Sequence, residues 1–171
     1  ALNYLVVGSD NRSGLTKEQI KKLRVGGVKV AAGQRSDTML LVHISKNRDS
    51  AFIVSLPRDT LATIPAHTSQ DGKSQIPARE GKLNAAFAFG GPVCTIKTVE
   101  KLTNVRIDNF VVVDFKAFKT VVDAIGGVEV CLTTPAYDPV VPGRGGSGLN
   151  LPAGYSTISG EQALAFVRAR E

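Results

Sequence analysis

The chain has 171 residues, which fits one domain over residues 1–171, and its 43% hydrophobic and 21% charged content is that of a folded globular protein. It contains no run of about 18 apolar residues, so no segment of it reads as a membrane span. The net charge of +6 suits an anionic partner, whether nucleic acid, an anionic membrane surface or a phosphorylated substrate.

Residues 2–7 are an apolar run that reads as a buried strand. A start of this kind leads us to expect a preceding N-terminal segment that carries an anchor. Thr16 is placed to cap a helix over 17–23. Strands are expected at 39–44 and 51–56, both rich in Val, Ile and Leu. Residues 67–80 are polar, with Gly72 and Pro77, and read as a loop. Val93, Ile96, Val99 and Leu102 recur every three residues and are assigned to one face of a helix. A strand follows at 110–113. Phe115, Phe118, Val121, Val122 and Ile125 form the apolar face of a second helix, stopped by Gly126-Gly127. A strand at 128–132 leads into a Pro- and Gly-dense loop at 133–154. Both loops are long enough to be lids or rims, or plain mobile surface. The last helix begins after Ser159, with Gln162 at capping-box spacing, and runs to Arg170. Strands mixed with helices predict an α/β fold, an α-β-α sandwich with a central sheet flanked by helices.

Three segments place carboxylate and guanidinium together at strand ends: Asp10 and Arg12 after the first strand, Arg35 and Asp37 before the second, and Arg58 and Asp59 after the third. The final helix adds Arg168 and Arg170. Ligands of open α/β sheets bind beyond the carboxyl ends of the strands. Asp37 reaches that rim only if its strand runs antiparallel to its neighbours, which makes the sheet mixed. This set of residue types suits phosphate chemistry. Arg binds phosphate oxygens with a planar fork, and Mg²⁺ takes one or two carboxylates plus phosphate oxygens. A further carboxylate can accept the proton of an attacking hydroxyl.

Other chemistries lack their signatures. There is no Gly-x-x-x-x-Gly-Lys-Ser/Thr and no Gly-x-Ser-x-Gly. His43 lies inside an apolar strand and His67 in a loop, with no zinc spacing, and His43 reads as structural. No groove-reading helix or cluster of aromatics supports nucleic-acid binding; aromatics are 6%, with no Trp. Cys94 and Cys131 fit no metal motif. They are either a disulfide, worth about 4 kcal/mol by loop entropy, or two free thiols.

The segments Tyr4–Arg12, Arg35–Met39, Ser55–Thr60, Lys82–Ala86, Val122–Val128 and Gly160–Leu164 with Arg168-Ala169-Arg170 resemble the LytR–CpsA–Psr family of cell-wall glycopolymer ligases, in the family order and over nearly the whole chain. The resemblance implies a central, mostly β sheet between helices, with an apolar cavity for a polyprenyl chain. It also implies transfer of a glycopolymer from a polyprenyl-pyrophosphate carrier to peptidoglycan, with a phosphodiester formed. The domain would lie outside the cell membrane, held by an N-terminal helix. Carried over by position, Asp10 and Asp37 look like the ligands of Mg²⁺ or Mn²⁺. Arg12, Arg35, Arg58, Arg168 and Arg170 look like the pyrophosphate clamp. Asp59 is expected to orient Arg58, and Asp37 to serve as the base. Lys82 and Asn84 are expected to bind the pyrophosphate from the site rim, or Asn84 instead to fix the following helix.

Family members continue past the Arg-x-Arg helix, so a further C-terminal segment is expected here too. The cysteines and loops point to an actinobacterial member, with arabinogalactan as the polymer. Phe87, Phe89, Phe115 and Phe118 serve either a cavity or a core. Two other readings share these residues: a pyrophosphatase, with water as acceptor, and a non-catalytic polyprenyl-phosphate binding module.

Overall fold

A computed structural model describes residues 1–9, 36–69, 71–142 and 145–169, with the backbone alone at 36 and 37. The described chain falls into two compact units, one of residues 1–9 and 36–113 and the other of residues 114–169.

The first unit carries β1 (Leu2–Ser9), β2 (Ser36–Ile44), β3 (Ala51–Leu56), β4 (Leu61–Ile64), β5 (His67–Thr68), β6 (Gln75–Ile76), β7 (Arg79–Lys82), α1 (Leu83–Thr103) and β8 (Asn109–Val113). Its sheet has the order β3-β2-β1-β8. β2 is antiparallel to β1 and to β3, whereas β8 is parallel to β1. The sheet is therefore mixed. His43 sits opposite Asn3 and its Nδ1 lies 2.7 Å from Asn3 Oδ1, a structural role inside the ladder.

β1 alternates between its two faces. Leu5 and Val7 are fully buried and pack with Met39, Ala62, Leu83 and Val99. The strands thus form because every second residue finds the α1 side of the sheet. The buried stripe of α1 differs from the expected one. Val99 is buried, but Val93 and Leu102 are exposed at 63% and 40%. A residue every three positions falls about 60° behind the helix per step, so Val93 and Leu102 end on opposite sides. Gly91, at φ 65°, and Pro92 also kink the helix. Cys94, Thr95 and Thr98 fill the buried stripe instead. The Thr hydroxyls donate to the carbonyls of Gly91 and Cys94 at 2.9 and 2.7 Å, so they enter the core satisfied.

The stretch 67–80, expected as a loop, contains the β5–β6 hairpin and the start of β7, which pairs with β4. Phe87 is buried and stacks on Phe110 at 6.3 Å, while Phe89 lies under the Arg79 guanidinium at 4.0 Å.

The second unit carries α2 (Phe115–Ala124), β9 (Val128–Leu132), β10 (Ala136–Asp138), β11 (Leu149–Leu151), β12 (Gly154–Ile158) and α3 (Gly160–Arg168). The expected loop 133–154 therefore holds the β10–β11 ribbon, and β9 pairs with β12. Asp114 caps α2 through Ala117 N–H at 2.7 Å. The helix ends at Gly126 and Gly127, both at positive φ, and Gly127 N–H reaches Val122 O at 2.9 Å. On its apolar face Val122 is buried, while Val121 and Ile125 are exposed. α3 opens with the full Ser159–Gln162 capping box and stops at Arg168, two residues before the expected end. Cys94, in the first unit, is a buried thiol and Cys131, in the second, an exposed one. Burial raises the Cys94 thiol above its ordinary value.

Asp123 joins α2 to α3, because its Oδ1 accepts the Gly160 N–H at 2.7 Å. A Cβ at Gly160 would meet the Lys119 backbone. We expect Ser159→Ala to lower unfolding free energy by about 1 kcal/mol, and Gly160→Ala to lower it further because backbone must separate. Urea denaturation of both variants checks the order.

Candidate functional site

The mixed sheet delivers strand termini to one end. Gly8 of β1 pairs with Thr38 of β2 and with Val113 of β8, and Met39 pairs with Leu56 of β3. The carboxyl ends of β1, β3 and β8 and the start of β2 therefore meet there. The β1–β2 register shifts between Gly8 and Ser9, because Ser9 pairs with Ser36. Asp37 is thus the extra residue of a β-bulge, a device common beside active sites. The antiparallel course needed to bring Asp37 to this end is present. Asp10 follows Ser9 directly in sequence.

Beyond β3 the chain turns through Pro57–Thr60, with Thr60 N–H bonded to Pro57 O at 3.0 Å. Two backbone bonds fasten this turn to the start of α1: Leu83 N–H to Thr60 O at 2.9 Å and Asn84 N–H to Arg58 O at 3.0 Å. They satisfy two of the helix's unpaired N-terminal donors. Asn84 is buried, so the link sits on a fixed support. The Asn84 backbone thereby ties the turn to the helix start.

Asp59 bridges two cations. Lys82 Nζ lies 2.8 Å from Asp59 Oδ1 and Arg58 Nε lies 3.8 Å from Asp59 Oδ2, all three side chains being more than half exposed. The hydrogen bond from Lys82, with the charges of Lys82 and Arg58 added, holds the Asp59 carboxyl below the usual carboxylate range. The sequence reading assigned Asp59 to Arg58, and its closer partner is Lys82. The missed signal was the β4–β7 pairing, whose register sets Lys82 opposite Leu61, two residues after Asp59.

The structure therefore brings Arg58, Asp59, Lys82 and Asn84 together on the first unit. Arg168 lies on α3 of the second unit, its Cζ 5.6 Å from the Phe115 ring centroid. Asp10, Arg12, Arg35 and Arg170, the Asp37 side chain and the helix expected at 17–23 lie outside the described residues. Among the described residues, no three His, Cys, Asp or Glu side chains cluster as a metal site, and no helix is long and apolar enough to cross a membrane.

The sequence matches the LytR_cpsA_psr family over residues 1–171. The chain belongs to this family. It is 36% identical over 168 residues to the probable cell wall biosynthesis protein LcpB of Corynebacterium glutamicum, covering 98% of the chain and 36% of that protein. It is 32% identical over 177 residues to the polyisoprenyl-teichoic acid–peptidoglycan teichoic acid transferase TagU of Oceanobacillus iheyensis, covering the whole chain and 44% of TagU. It thus spans less than half of these relatives. Among solved structures, the LytR-CPS2A-psr family protein YwtF (TagT) with bound octaprenyl pyrophosphate lipid matches with a TM-score of 0.62 at 28% identity, over 99% of this chain and 57% of that one.

The geometry makes the Asp59 carboxyl a direct probe of the Lys82 contact. Its lowered folded-state value means that the pair is present above the ordinary carboxylate value of 3.8 and is lost as pH falls through the folded value. In an NMR titration, Asp59 should titrate below 3.8 and move back toward it in Lys82→Met.

Proposed function

We propose that this chain is the catalytic part of an extracytoplasmic phosphotransferase that moves a glycopolymer from a polyprenyl-pyrophosphate carrier to peptidoglycan. The observation that supports it most is the cationic turn Arg58–Asp59 with Lys82, fixed at the sheet end where strand termini collect. The names of the relatives agree: one is a cell wall biosynthesis protein, one a teichoic acid transferase, and one structure holds octaprenyl pyrophosphate. Arabinogalactan is the proposed polymer.

In this reading the Arg58 guanidinium binds oxygens of the diphosphate. Its planar fork orients the phosphorus that carries the sugar, and its charge offsets what builds up on the leaving phosphate. Asp59 holds that guanidinium from the side. An acceptor hydroxyl of peptidoglycan attacks the sugar-bearing phosphorus. The phosphoanhydride bond breaks, polyprenyl phosphate leaves and a phosphodiester remains. The hydroxyl proton passes to a carboxylate, which we assign to Asp37.

Asp10, which follows β1 in sequence, and Asp37, in β2, carry carboxylates, the donor type that suits Mg²⁺ or Mn²⁺, and we assign them as the residues that would hold the ion. When bound, the ion would supply positive charge to the diphosphate oxygens.

The test is incubation of the chain with a synthetic polyprenyl-pyrophosphate glycan, Mg²⁺ and a peptidoglycan oligomer, followed by mass spectrometry. Glycan joined to the oligomer through a phosphodiester is the expected product. Free glycan phosphate alone would replace the transferase with a hydrolase. Arg58→Ala should fold normally and lose on the order of 3 kcal/mol of transition-state stabilisation, roughly a hundredfold in rate. An undiminished rate in that variant would remove Arg58 from the site.

A further inference from the structure

We infer that the outward face of the ribbon formed by β9 to β12, with Tyr137 and Tyr155, binds the neutral sugar chain of the glycopolymer donor. The inference rests on the function proposed above and names the class of polymer that the chain handles. The two pairings of the second unit follow one another along one ribbon. Leu132 pairs with Gly154, and past Thr133-Thr134-Pro135 on one strand and Pro152-Ala153 on the other, Ala136 pairs with Leu151. Side chains alternate across it. Val130, Leu132, Leu149, Leu151 and Ile158 join the core cluster that also takes Ala163 and Phe166 of α3. Tyr137, Asn150, Tyr155 and Thr157 turn the other way and are exposed, the two tyrosines at 69% and 78%.

This face has the chemistry of a sugar site. A sugar ring carries an apolar C–H face and a belt of hydroxyls. The C–H face packs on a tyrosine ring, whose quadrupole places partial negative charge there. The hydroxyls need partners that both donate and accept. Asn150 stands opposite Tyr137 and its amide does both. Thr157 shares the face of Tyr155 and offers a hydroxyl, and Glu129 opposite it accepts. Tyr155 pairs with Cys131, and from Cys131 to Tyr137 the ribbon advances roughly 20 Å. That spread fits a chain of sugars rather than a single one.

Charge selects the kind of chain. Among the described residues of 128–158 there is no cation. The acids are Glu129 and Asp138, and Asp138 already accepts the Ser147 N–H at 2.8 Å. A polymer with a phosphate in each repeat would meet Glu129 on this face without a counter-charge, whereas a neutral glycan needs none. Arg168, expected in the pyrophosphate clamp, lies on α3, which packs against the inner face of the ribbon. A diphosphate held by Arg168 would therefore present its sugar chain to this unit.

The test is calorimetric binding of a neutral arabinogalactan oligosaccharide, free of lipid and diphosphate, to the chain. Wild type should bind it, and the double variant Tyr137→Ala with Tyr155→Ala should raise Kd about tenfold or more. Tyr137→Phe with Tyr155→Phe keeps both rings and should stay within about threefold of wild type. Octaprenyl pyrophosphate, which carries no sugar, should bind the alanine variant as it binds wild type, and thermal midpoints should agree. A wild type that ignores the oligosaccharide, or an alanine variant that binds it equally well, overturns the inference. Tighter binding of a teichoic acid chain or a peptidoglycan oligomer, lost with the tyrosines, also overturns it. Transfer activity with glycan binding unchanged in the alanine variant would remove the inference and leave the proposed function standing. Glycan binding that depends on the tyrosines, in a chain that neither transfers glycan nor binds octaprenyl pyrophosphate, would overturn the function and leave the sugar site.

Discussion

β1 runs with an antiparallel partner on one side and a parallel partner on the other, and the candidate site follows from that pairing. The register is held by burial. Leu5, Val7, Met39, Leu83 and Val99 meet on one face, and each such side chain is worth about 1.5–3 kcal/mol when buried. A slip of one residue would turn that set outward. The exposed ion pairs at the sheet end contribute at most about 1 kcal/mol each. The core therefore decides the geometry, and the charges ride on it.

Within that frame the sheet end has two layers of support. The β1–β2 bulge places one extra residue, Asp37, between the Gly8–Thr38 and Ser9–Ser36 pairs. On the other side of β2, the turn after β3 would be a loose loop without the two backbone bonds that tie it to α1. Under the proposed function, cations on a backbone held this way would lose less freedom on meeting a diphosphate, which is the advantage of preorganisation. Alone in water they attract weakly. Several of them facing a multiply charged group add up, and salt should weaken the sum.

Much of this was legible in the sequence. Strands 51–56 and 128–132, the Gly126-Gly127 stop and the Ser159–Gln162 cap appear where their residues placed them, because each is a local signal. The mixed sheet was legible only conditionally, through the position of Asp37. The β4–β7 and β10–β11 ribbons were missed because strands of three or four residues are too short for a periodicity. The Asp59–Lys82 pair was lost with the first of them, since 23 positions separate the partners and only the ribbon register brings them together. The buried stripe of α1 was misplaced because threonines that bond their own helix pass for polar residues in a sequence.

The central claim is that this end of the sheet is where a diphosphate binds. The most direct measurement is a crystal structure of the chain with octaprenyl pyrophosphate. The account predicts the diphosphate within hydrogen-bonding distance of the Arg58 guanidinium, beyond the carboxyl end of β3. The opposite end of the sheet has an open recess of about 610 Å³ lined by Leu2, Tyr4, Ile44 and Arg48. A diphosphate seated there, with Arg58 untouched, would contradict it.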